Sequence, residues 1–344
     1  GGSAMVARLH HVIGDGIALM LVLLSLTDLE PEAPDEGHPP ENPFGALFAQ
    51  ARGDLVAVRA ATEQVMPEGM KLLLRPAQAL RSAGHLLRVA ASADALGRLT
   101  FRRRDPRTVF KGPLGIAKRV AWSEPLPLAE VRTIAAAVGG NVNDVLHAAA
   151  AGGLRRYMLR HGQAPEKLDF RAAVPVNLRP LDEMAELGNR FGLVFLSLPV
   201  GMADPRRRLL ELRRRVQDLK RSAEPLVTYG ILRALGRVPL VVQRGVVRLL
   251  ATKTTAVLTS VPGPQRPLYL GGRRIRDLFF WVPQAGRVGL GLSICSYAGF
   301  ARFGVATDAG LVPDPEAVVA AIHEEVEALR RIATGEPTEP AAGI

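Results

Sequence analysis

After residue 108 the chain alternates between strand-like and helix-like segments, and this alternation limits its fold more than any other feature. Short apolar or alternating runs indicate strands, and apolar residues that recur every three to four positions indicate helices. The predicted strands are residues 118–122, 169–176, 191–200 and several within 256–307. The predicted helices are residues 126–137, 143–161, 205–222 and 315–332. This order predicts an α/β (α+β) fold in which sheets are flanked by helices.

Composition indicates a globular chain whose core is mostly aliphatic. The chain has 344 residues, of which 48% are hydrophobic and only 5% aromatic, and its mean hydropathy is +0.12. This length is enough for two domains or lobes. The single cysteine, Cys295, excludes an internal disulfide and is typical of a reducing cytosol. Because Cys295 lies in an apolar run, we expect it to fill the core rather than to act as a nucleophile.

Changes of composition divide the chain into three parts. An acidic, proline-rich loop occupies residues 28–43, a helical pattern follows over 45–100, and a charged hinge is predicted at 102–107. The predicted parts are the remainder of an N-terminal lobe at 1–43, a helical linker at 44–107 and a C-terminal lobe at 108–344.

Seven residues near the start combine two imidazoles, a carboxylate and two glycines, in the order His10-His11-Val12-Ile13-Gly14-Asp15-Gly16. Alternation over residues 5–11 predicts a strand, and residues 17–27 predict a helix that is apolar on all sides and hence buried. Neighbouring strand residues point to opposite faces, so only one imidazole can face a pocket. Histidine is suited to proton transfer near neutral pH. Asp15 can cap the helix that begins near Gly16, or pair with a distant arginine.

Several other chemistries have no motif in this chain. There is no H-E-x-x-H and no other cluster at ligand spacing, so no metal is expected. A G-x-S-x-G elbow and a G-x-x-x-x-G-K phosphate loop are also missing. The net charge of +11 favours anionic partners, but no nucleic-acid-binding signature accompanies it. We therefore expect no nucleic-acid partner and favour an anionic lipid surface. The apolar run at 17–26 is about half of the roughly 20 residues that would cross a bilayer.

The string H-H-x-x-x-D-G resembles the motif of the CoA-dependent acyltransferase superfamily. Later motifs resemble those of one branch, the bacterial wax ester synthase/diacylglycerol acyltransferases, and they come in that family's order. They are N-D at Asn143-Asp144, V-P-V-x-L-R at 174–179, G-N-R at 188–190, V-P-G-P at 261–264 and S-Y-x-G at 296–299.

This resemblance implies a two-lobed fold like that of chloramphenicol acetyltransferase, with mixed sheets flanked by helices. It implies transfer of a fatty acyl group from acyl-CoA to a long-chain alcohol or diacylglycerol, with no cofactor and no covalent intermediate. It also implies that His11 is the general base, that His10 is auxiliary and that Asp15 pairs with an arginine. Arg179 and Arg190 are the candidates for that arginine. Gly16 closes the motif and is expected to support the site.

The chain departs from the family pattern in two places. Family members carry Asn before V-P-G-P, whereas this chain has Thr259-Ser260, although Ser260 can still donate a hydrogen bond. The family's N-terminal portion, with its P-L-W motif, is expected upstream of Gly1. The chain therefore resembles a piece of a longer protein, whose N-terminal segment would be a partner in the site.

Two features each have two interpretations. Asn143 and Asp144 either cap a helix or hold the adjacent loop at the mouth of the site. Residues 229–250 form either a helix that lies in a lipid interface or a core helix with a basic outer face. Gly236 and Pro239 interrupt this second segment, and its arginines fall within about 60° of one another on a helix. These arginines are Arg233, Arg237, Arg244 and Arg248.

Three functions are compatible with these observations. The first is a wax ester or triacylglycerol synthase that uses acyl-CoA. The second is an acyltransferase that uses a carrier-protein thioester, as condensation domains do. The third is a non-catalytic protein of the lipid-droplet surface. The expected location is cytoplasmic, with peripheral association to the inner membrane or to lipid bodies.

Overall fold

The computed structural model describes residues 2–8, 19–20, 26–31, 97, 99, 102–178, 190–282 and 287–336. The predicted division into lobes and linker remains a prediction, because most of residues 1–101 lie outside these ranges.

A mixed sheet forms the centre of the described chain. Its strands lie in the order β1-β9-β8-β5-β3-β4, with the short β2 also paired to β9. Strand β5 is parallel to both β3 and β8, and the other pairs are antiparallel. The strands of this sheet are β1 (Lys118–Trp122), β2 (Leu126–Pro127), β3 (Phe170–Asn177), β4 (Phe191–Leu198), β5 (Ala256–Pro262), β8 (Leu290–Tyr297) and β9 (Phe300–Asp308). A separate two-stranded sheet pairs β6 (Tyr269–Leu270) with β7 (Arg273–Arg274). The predicted fold class and the strands predicted after residue 108 are confirmed.

Six helices with described bounds accompany the sheet. They are α1 (Leu128–Ala137), α2 (Val142–Arg160), α3 (Pro205–Lys220), α4 (Glu224–Leu235), α5 (Leu240–Thr252) and α6 (Pro315–Thr334). The helices predicted after residue 108 are confirmed with small shifts at their ends. Helix α1 begins two residues later than predicted because Leu126 and Pro127 pair with β9. The predicted basic segment at 229–250 falls on two helices, which separate at Gly236 and Pro239 as their sequence suggests.

The main core lies between one face of the sheet and helices α1, α2, α3 and α6. Helices α2 and α6 approach closely because α2 has a Gly152-Gly153 pair at the contact. A Cβ on Gly153 would lie 2.5 Å from Cγ1 of Ile322 and 2.8 Å from its backbone nitrogen. Buried Arg208 of α3 pairs there with buried Glu325 of α6, so the ion pair joins two helices inside the core.

Backbone outside the sheet approaches it closely at two glycines. A Cβ on Gly304 would lie 2.4 Å from the carbonyl oxygen of Phe280, and one on Gly192 would lie 2.0 Å from that of Pro225. Side chains would therefore keep the segment before β8, and helix α4, away from the sheet. On the face opposite the main core, Leu250 of α5 packs against a small cluster that includes Phe195.

The charged segment at 102–107, predicted to be a hinge, is instead anchored by a buried carboxylate. Asp105 accepts hydrogen bonds from the Arg171 backbone nitrogen at 2.9 Å and from the Thr255 hydroxyl at 2.7 Å. The Arg171 guanidinium also pairs with it at 2.7 Å. Burial raises the pKa of Asp105, while these hydrogen bonds oppose that rise. A buried, fully bonded anchor is unlike a hinge, so that prediction is wrong.

The N-terminal predictions fare less well than those for the C-terminal part. Residues 2–8 are in no strand and are exposed, so the predicted strand at 5–11 is wrong for its described residues. A strand needs a neighbour for its backbone groups, and residues 2–8 have none in the described ranges. Leu19 and Met20 are helical as predicted but half-buried, and Leu26 is an exposed turn residue. At its described residues, the predicted helix is therefore not buried on all sides.

Candidate functional site

Two of the predicted site residues meet at the carboxyl end of β5. The Ser260 hydroxyl donates a hydrogen bond to the Asn143 side-chain oxygen, over 3.1 Å. Ser260 lies near the end of β5 and Asn143 in the first turn of α2, so this contact joins the sheet to the helix. Ser260 stands where family members carry Asn. The expectation that serine can still donate at this position is confirmed.

Helix α2 begins with a capping box formed by Asn141 and Asp144. The Asn141 side chain accepts from the Asp144 backbone nitrogen, and the Asp144 carboxylate accepts from the Asn141 backbone nitrogen, each at 3.0 Å. The helix begins at Val142, one residue earlier than predicted, because Asn141 supplies the cap. The capping interpretation is confirmed for Asp144. Asn143 is left with its side chain free to reach Ser260.

The V-P-G-P and S-Y-x-G motifs are held together by backbone hydrogen bonds. Gly263 donates to the Ser296 carbonyl at 2.9 Å, and Ala298 donates to the Pro264 carbonyl at 2.9 Å. A Cβ on Gly263 would lie 2.4 Å from that Ser296 oxygen, which explains the need for glycine. Ala298 and Gly299 have φ of 47° and 87°, so the hairpin turns tightly back into β9.

Tyr297 joins this corner to the residues on either side of the β6–β7 hairpin. Its hydroxyl accepts from the Leu268 backbone nitrogen at 2.7 Å and donates to the Ile275 carbonyl at 2.9 Å. Burial raises the pKa of Tyr297, so the phenol keeps its proton and remains a donor. The aromatic side chain therefore fixes the chain on either side of the β6–β7 hairpin.

Described residues on both sides of the histidine motif contact this same hairpin region. Met20 packs against the small cluster formed by Leu268 and Tyr297. Asp28 pairs with Tyr269 through two backbone hydrogen bonds of 2.8 Å. A Cβ on Gly2 would lie 3.2 Å from the Arg276 guanidinium. The flanks of the motif and the C-terminal motifs thus share one corner of the molecule.

The predicted catalytic residues themselves lie outside the described residues. These are His10, His11, Asp15 and Gly16, and Arg179 is also among them. Arg190 is described and exposed, and its carbonyl accepts from the Leu178 backbone nitrogen at 2.9 Å. The roles of all these residues, including the pairing of Asp15 with an arginine, remain predictions.

His147 is a site-proximal residue that the sequence analysis missed. It follows Asn143 by four residues and so shares its face of α2. Both ring nitrogens are buried, and neither has a hydrogen-bond partner among the described residues. Burial, with a further contribution from Lys220, lowers its pKa to about 4. The four-residue spacing from the N-D motif was the available signal.

Cys295 is buried and free, as expected, and burial raises the pKa of its thiol to about 12. A thiol with this pKa stays protonated near neutral pH and is a poor nucleophile. Within the described ranges, no three His, Cys, Asp or Glu side chains are placed so that they could hold a metal ion. The metal-free expectation still remains a prediction, because the histidine motif lies outside those ranges.

Comparison with known structures identifies the class of fold. The chain superposes on the first condensation domain of the calcium-dependent antibiotic synthetase with a TM-score of 0.52 and 17% identity. That match covers 96% of this chain and 64% of the other. The fold is therefore that of the condensation and acyltransferase group, which the resemblance to chloramphenicol acetyltransferase implied.

The chain belongs to the wax ester synthase/diacylglycerol acyltransferase family. Its catalytic-domain profile matches residues 1–146 and its C-terminal-domain profile matches residues 187–330. A Mycobacterium tuberculosis protein (strain CDC 1551 / Oshkosh) named as a diacylglycerol O-acyltransferase is 28% identical over 97% of this chain and 65% of its own length. The tgs1 diacylglycerol O-acyltransferase of strain H37Rv is 26% identical over 95% of this chain and 68% of its own. The chain thus spans about two thirds of the length of these relatives.

None of the helices in the described ranges is both long and apolar enough to cross a bilayer.

Proposed function

We propose that this chain carries out the central step of an O-acyltransferase, moving a fatty acyl group from acyl-CoA to a long-chain alcohol or diacylglycerol. The products would be a wax ester or a triacylglycerol. The observation that carries the proposal is the match of residues 1–146 to the family's catalytic domain, which includes the complete H-H-x-x-x-D-G string. The assembly of the later motifs beside the flanks of that string supports it.

In the proposed mechanism His11 acts as the general base. Its neutral imidazole takes the proton from the acceptor hydroxyl while the oxygen attacks the thioester carbonyl, forming the C–O bond. The tetrahedral adduct then collapses, the C–S bond breaks, and the proton passes to the departing CoA thiolate. A thioester is already activated, so no covalent enzyme intermediate is required. General base catalysis of this kind contributes roughly 10²–10⁴-fold to the rate.

The other predicted residues position this base. His10 is auxiliary, and Asp15 pairs with Arg179 or Arg190 to hold the loop that ends at Gly16. The Asn143–Ser260 hydrogen bond holds the start of α2 against β5. The adjacent Asp144 stabilises the same helix end by capping it.

The partners follow from charge and apolar character. A net charge of +11 favours the phosphates of CoA and anionic lipid headgroups. Each methylene of an acyl chain that is buried in an aliphatic tunnel contributes about 0.8 kcal/mol to binding. We propose a cytoplasmic protein that associates peripherally with the inner membrane or lipid bodies.

The proposal is tested by assaying the 344-residue chain with palmitoyl-CoA and either hexadecanol or diolein. We expect product from the unaltered chain and a loss of at least about 10²-fold in His11→Ala. His161→Gln, which changes a histidine at the far end of α2, is the matched control and should retain activity. Unchanged thermal unfolding of both variants would exclude misfolding as the cause.

Other outcomes would decide between the alternatives. Turnover of an acyl-carrier-protein thioester, without turnover of acyl-CoA, would replace the proposed donor. Wild-type rates in His11→Ala would refute the base assignment. Binding to lipid droplets by a chain that turns over neither donor would support the non-catalytic alternative.

The positioning role of Asn143 and Ser260 is tested by a double-mutant cycle with Asn143→Ala and Ser260→Ala. If the two side chains act through their mutual bond, the double variant should lose no more activity than either single variant. We expect their coupling in unfolding free energy to be about 0.5–1 kcal/mol, since the bond is exposed. Ser260→Asn places the family residue at this position, and its kcat should be restored relative to that of Ser260→Ala. Additive losses would show that the two residues act independently.

A further inference from the structure

Helix α5 turns an apolar stripe outward, away from the sheet. Val241 is 80% exposed and Leu249 is 50% exposed. On a helix with about 3.6 residues per turn, Val241 lies directly opposite Leu250, which packs into the cluster around Phe195. The packing of Leu250 on one side of the helix therefore turns the stripe on the other side outward. It consists of Val241, Val242 and Leu249, all exposed, with Gly245 between them.

Arginines border this stripe on one side. Arg244 and Arg248 lie about 40° from each other and next to Val241 on the helix surface. Both are exposed, and their side chains make no hydrogen bond or ion pair with any described residue. Arg233 and Arg237, also exposed, continue the basic border along the end of α4 and the turn before α5.

The segment around α5 is entirely free of acidic residues. Residues 229–255 contain four arginines and one lysine, with no aspartate or glutamate. Helix α3 is a useful contrast, because its Arg214 and Arg215 are paired with Glu211, Asp218 and Asp169. Arg214 and Arg215 are thus neutralised by neighbours on the same protein, whereas the arginines beside α5 form no ion pair with any described residue. An unneutralised basic border next to exposed aliphatic side chains is complementary to an anionic lipid surface.

We propose that α5 is the element that docks this protein onto an anionic membrane or lipid-droplet surface. The stripe of Val241, Val242 and Leu249 enters the boundary between headgroups and acyl chains, and Arg244 and Arg248 extend to the lipid phosphates. The inference rests on the proposed function and deepens it, because the proposed acceptor substrate resides in lipid. The buried face of helix α4 packs on β4, so that face does not contact the lipid surface.

The test measures partition of the 344-residue chain onto phosphatidylcholine vesicles with and without about a quarter phosphatidylglycerol. We expect binding to the anionic vesicles and at least about a tenfold loss of partition in Arg244→Glu/Arg248→Glu. Val241→Ser/Leu249→Ser keeps the charge and should lose binding several-fold, because it removes apolar area. All four side chains are exposed, so thermal unfolding should remain close to that of the unaltered chain.

The matched control is Arg206→Glu/Arg207→Glu on α3. It changes the net charge by the same amount at two other exposed arginines. If binding depended on net charge alone, this control would lose as much as the α5 variant, and the proposal would be overturned. It would also be overturned if the α5 substitutions altered oligomeric state and left vesicle binding unchanged, since the stripe would then contact a second copy.

Failure here is distinguishable from failure of the proposed function. His11→Ala should bind anionic vesicles like the unaltered chain, because binding requires no turnover. The α5 charge variant should acylate a water-soluble alcohol at the normal rate while losing activity on diolein presented in vesicles. A chain that binds through α5 but has no transferase activity would leave the surface assignment intact.

Discussion

At the residue scale, single polar side chains decide how the motifs meet. Ser260 makes the contact to Asn143 that links β5 to α2, and Tyr297 bonds the chain on either side of β6–β7. His147 is different, because its ring nitrogens are buried without partners among the described residues. Protonation of a buried ring without partners lowers the free energy of unfolding, because the charge is then buried and unpaired.

His147 predicts a stability that falls in acid. Its pKa is lowered from 6.5 to about 4 by burial, so the unfolded chain binds the proton more readily than the folded one. His147 therefore costs no stability above pH 6.5, where its ring is neutral in both states. The free energy of unfolding then decreases as the pH falls from 6.5 toward 4. The free energy of unfolding should fall between neutral pH and about pH 5. We expect this fall to be about 2 kcal/mol smaller in His147→Leu than in the unaltered chain.

This prediction is checked by urea unfolding at both pH values. His161→Gln is the control, because that histidine is partly exposed at the end of the same helix and should leave the acid loss in place. An unchanged pH dependence in His147→Leu would show that other groups cause it.

At the scale of elements, glycines set the distances between helices and strands. Gly153 allows α2 to touch the backbone of α6, whereas Gly230 of α4 has no atom within 4 Å of where a Cβ would lie. The same substitution should therefore have opposite effects at the two positions.

We expect Gly153→Ala to lower the free energy of unfolding by about 1–3 kcal/mol, because the new methyl group would force α2 and α6 apart. Gly230→Ala should raise it by about 0.5–1 kcal/mol, because alanine favours an exposed helix interior. Denaturant unfolding of the two variants measures both effects. Equal destabilisation at both sites would contradict the close approach of α2 to α6.

At the scale of the whole molecule, the corner around Tyr297 joins the N-terminal and C-terminal parts of the chain. Met20 and Asp28 reach it from one side, and the motifs after β5 from the other. The integrity of the site thus depends on contacts between residues that are far apart in sequence.

Tyr297→Phe should loosen the N-terminal segment. It leaves the Leu268 nitrogen and the Ile275 carbonyl without a partner, at a cost of about 1–3 kcal/mol for each group that stays buried. We expect faster amide hydrogen exchange in residues 19–31 and a lower melting temperature. Tyr229→Phe is the control, since that hydroxyl bonds to no described residue. Unchanged exchange at 19–31 would show that the corner does not anchor this segment.

Much of the architecture could be predicted from local pattern alone. The strands β1, β3 and β4 and the helices α2, α3 and α6 were predicted within a few residues, because their apolar residues recur with a clear period. The N-terminal strand was wrong because a strand also requires a partner, which its own sequence does not specify. The charged segment at 102–107 was misjudged because the burial of Asp105 depends on Arg171 and Thr255, far along the chain.

The sequence by itself determined the elements, the family and the order of the motifs, because these are properties of neighbouring residues. Only the tertiary structure decided that Ser260 reaches Asn143 and that the V-P-G-P and S-Y-x-G motifs bond to each other. It also decided that α5 turns Val241 outward, because the partly buried Leu250 on the opposite side packs against the cluster around Phe195. Such choices depend on packing between distant segments, and periodicity gives a helix two faces without saying what covers either.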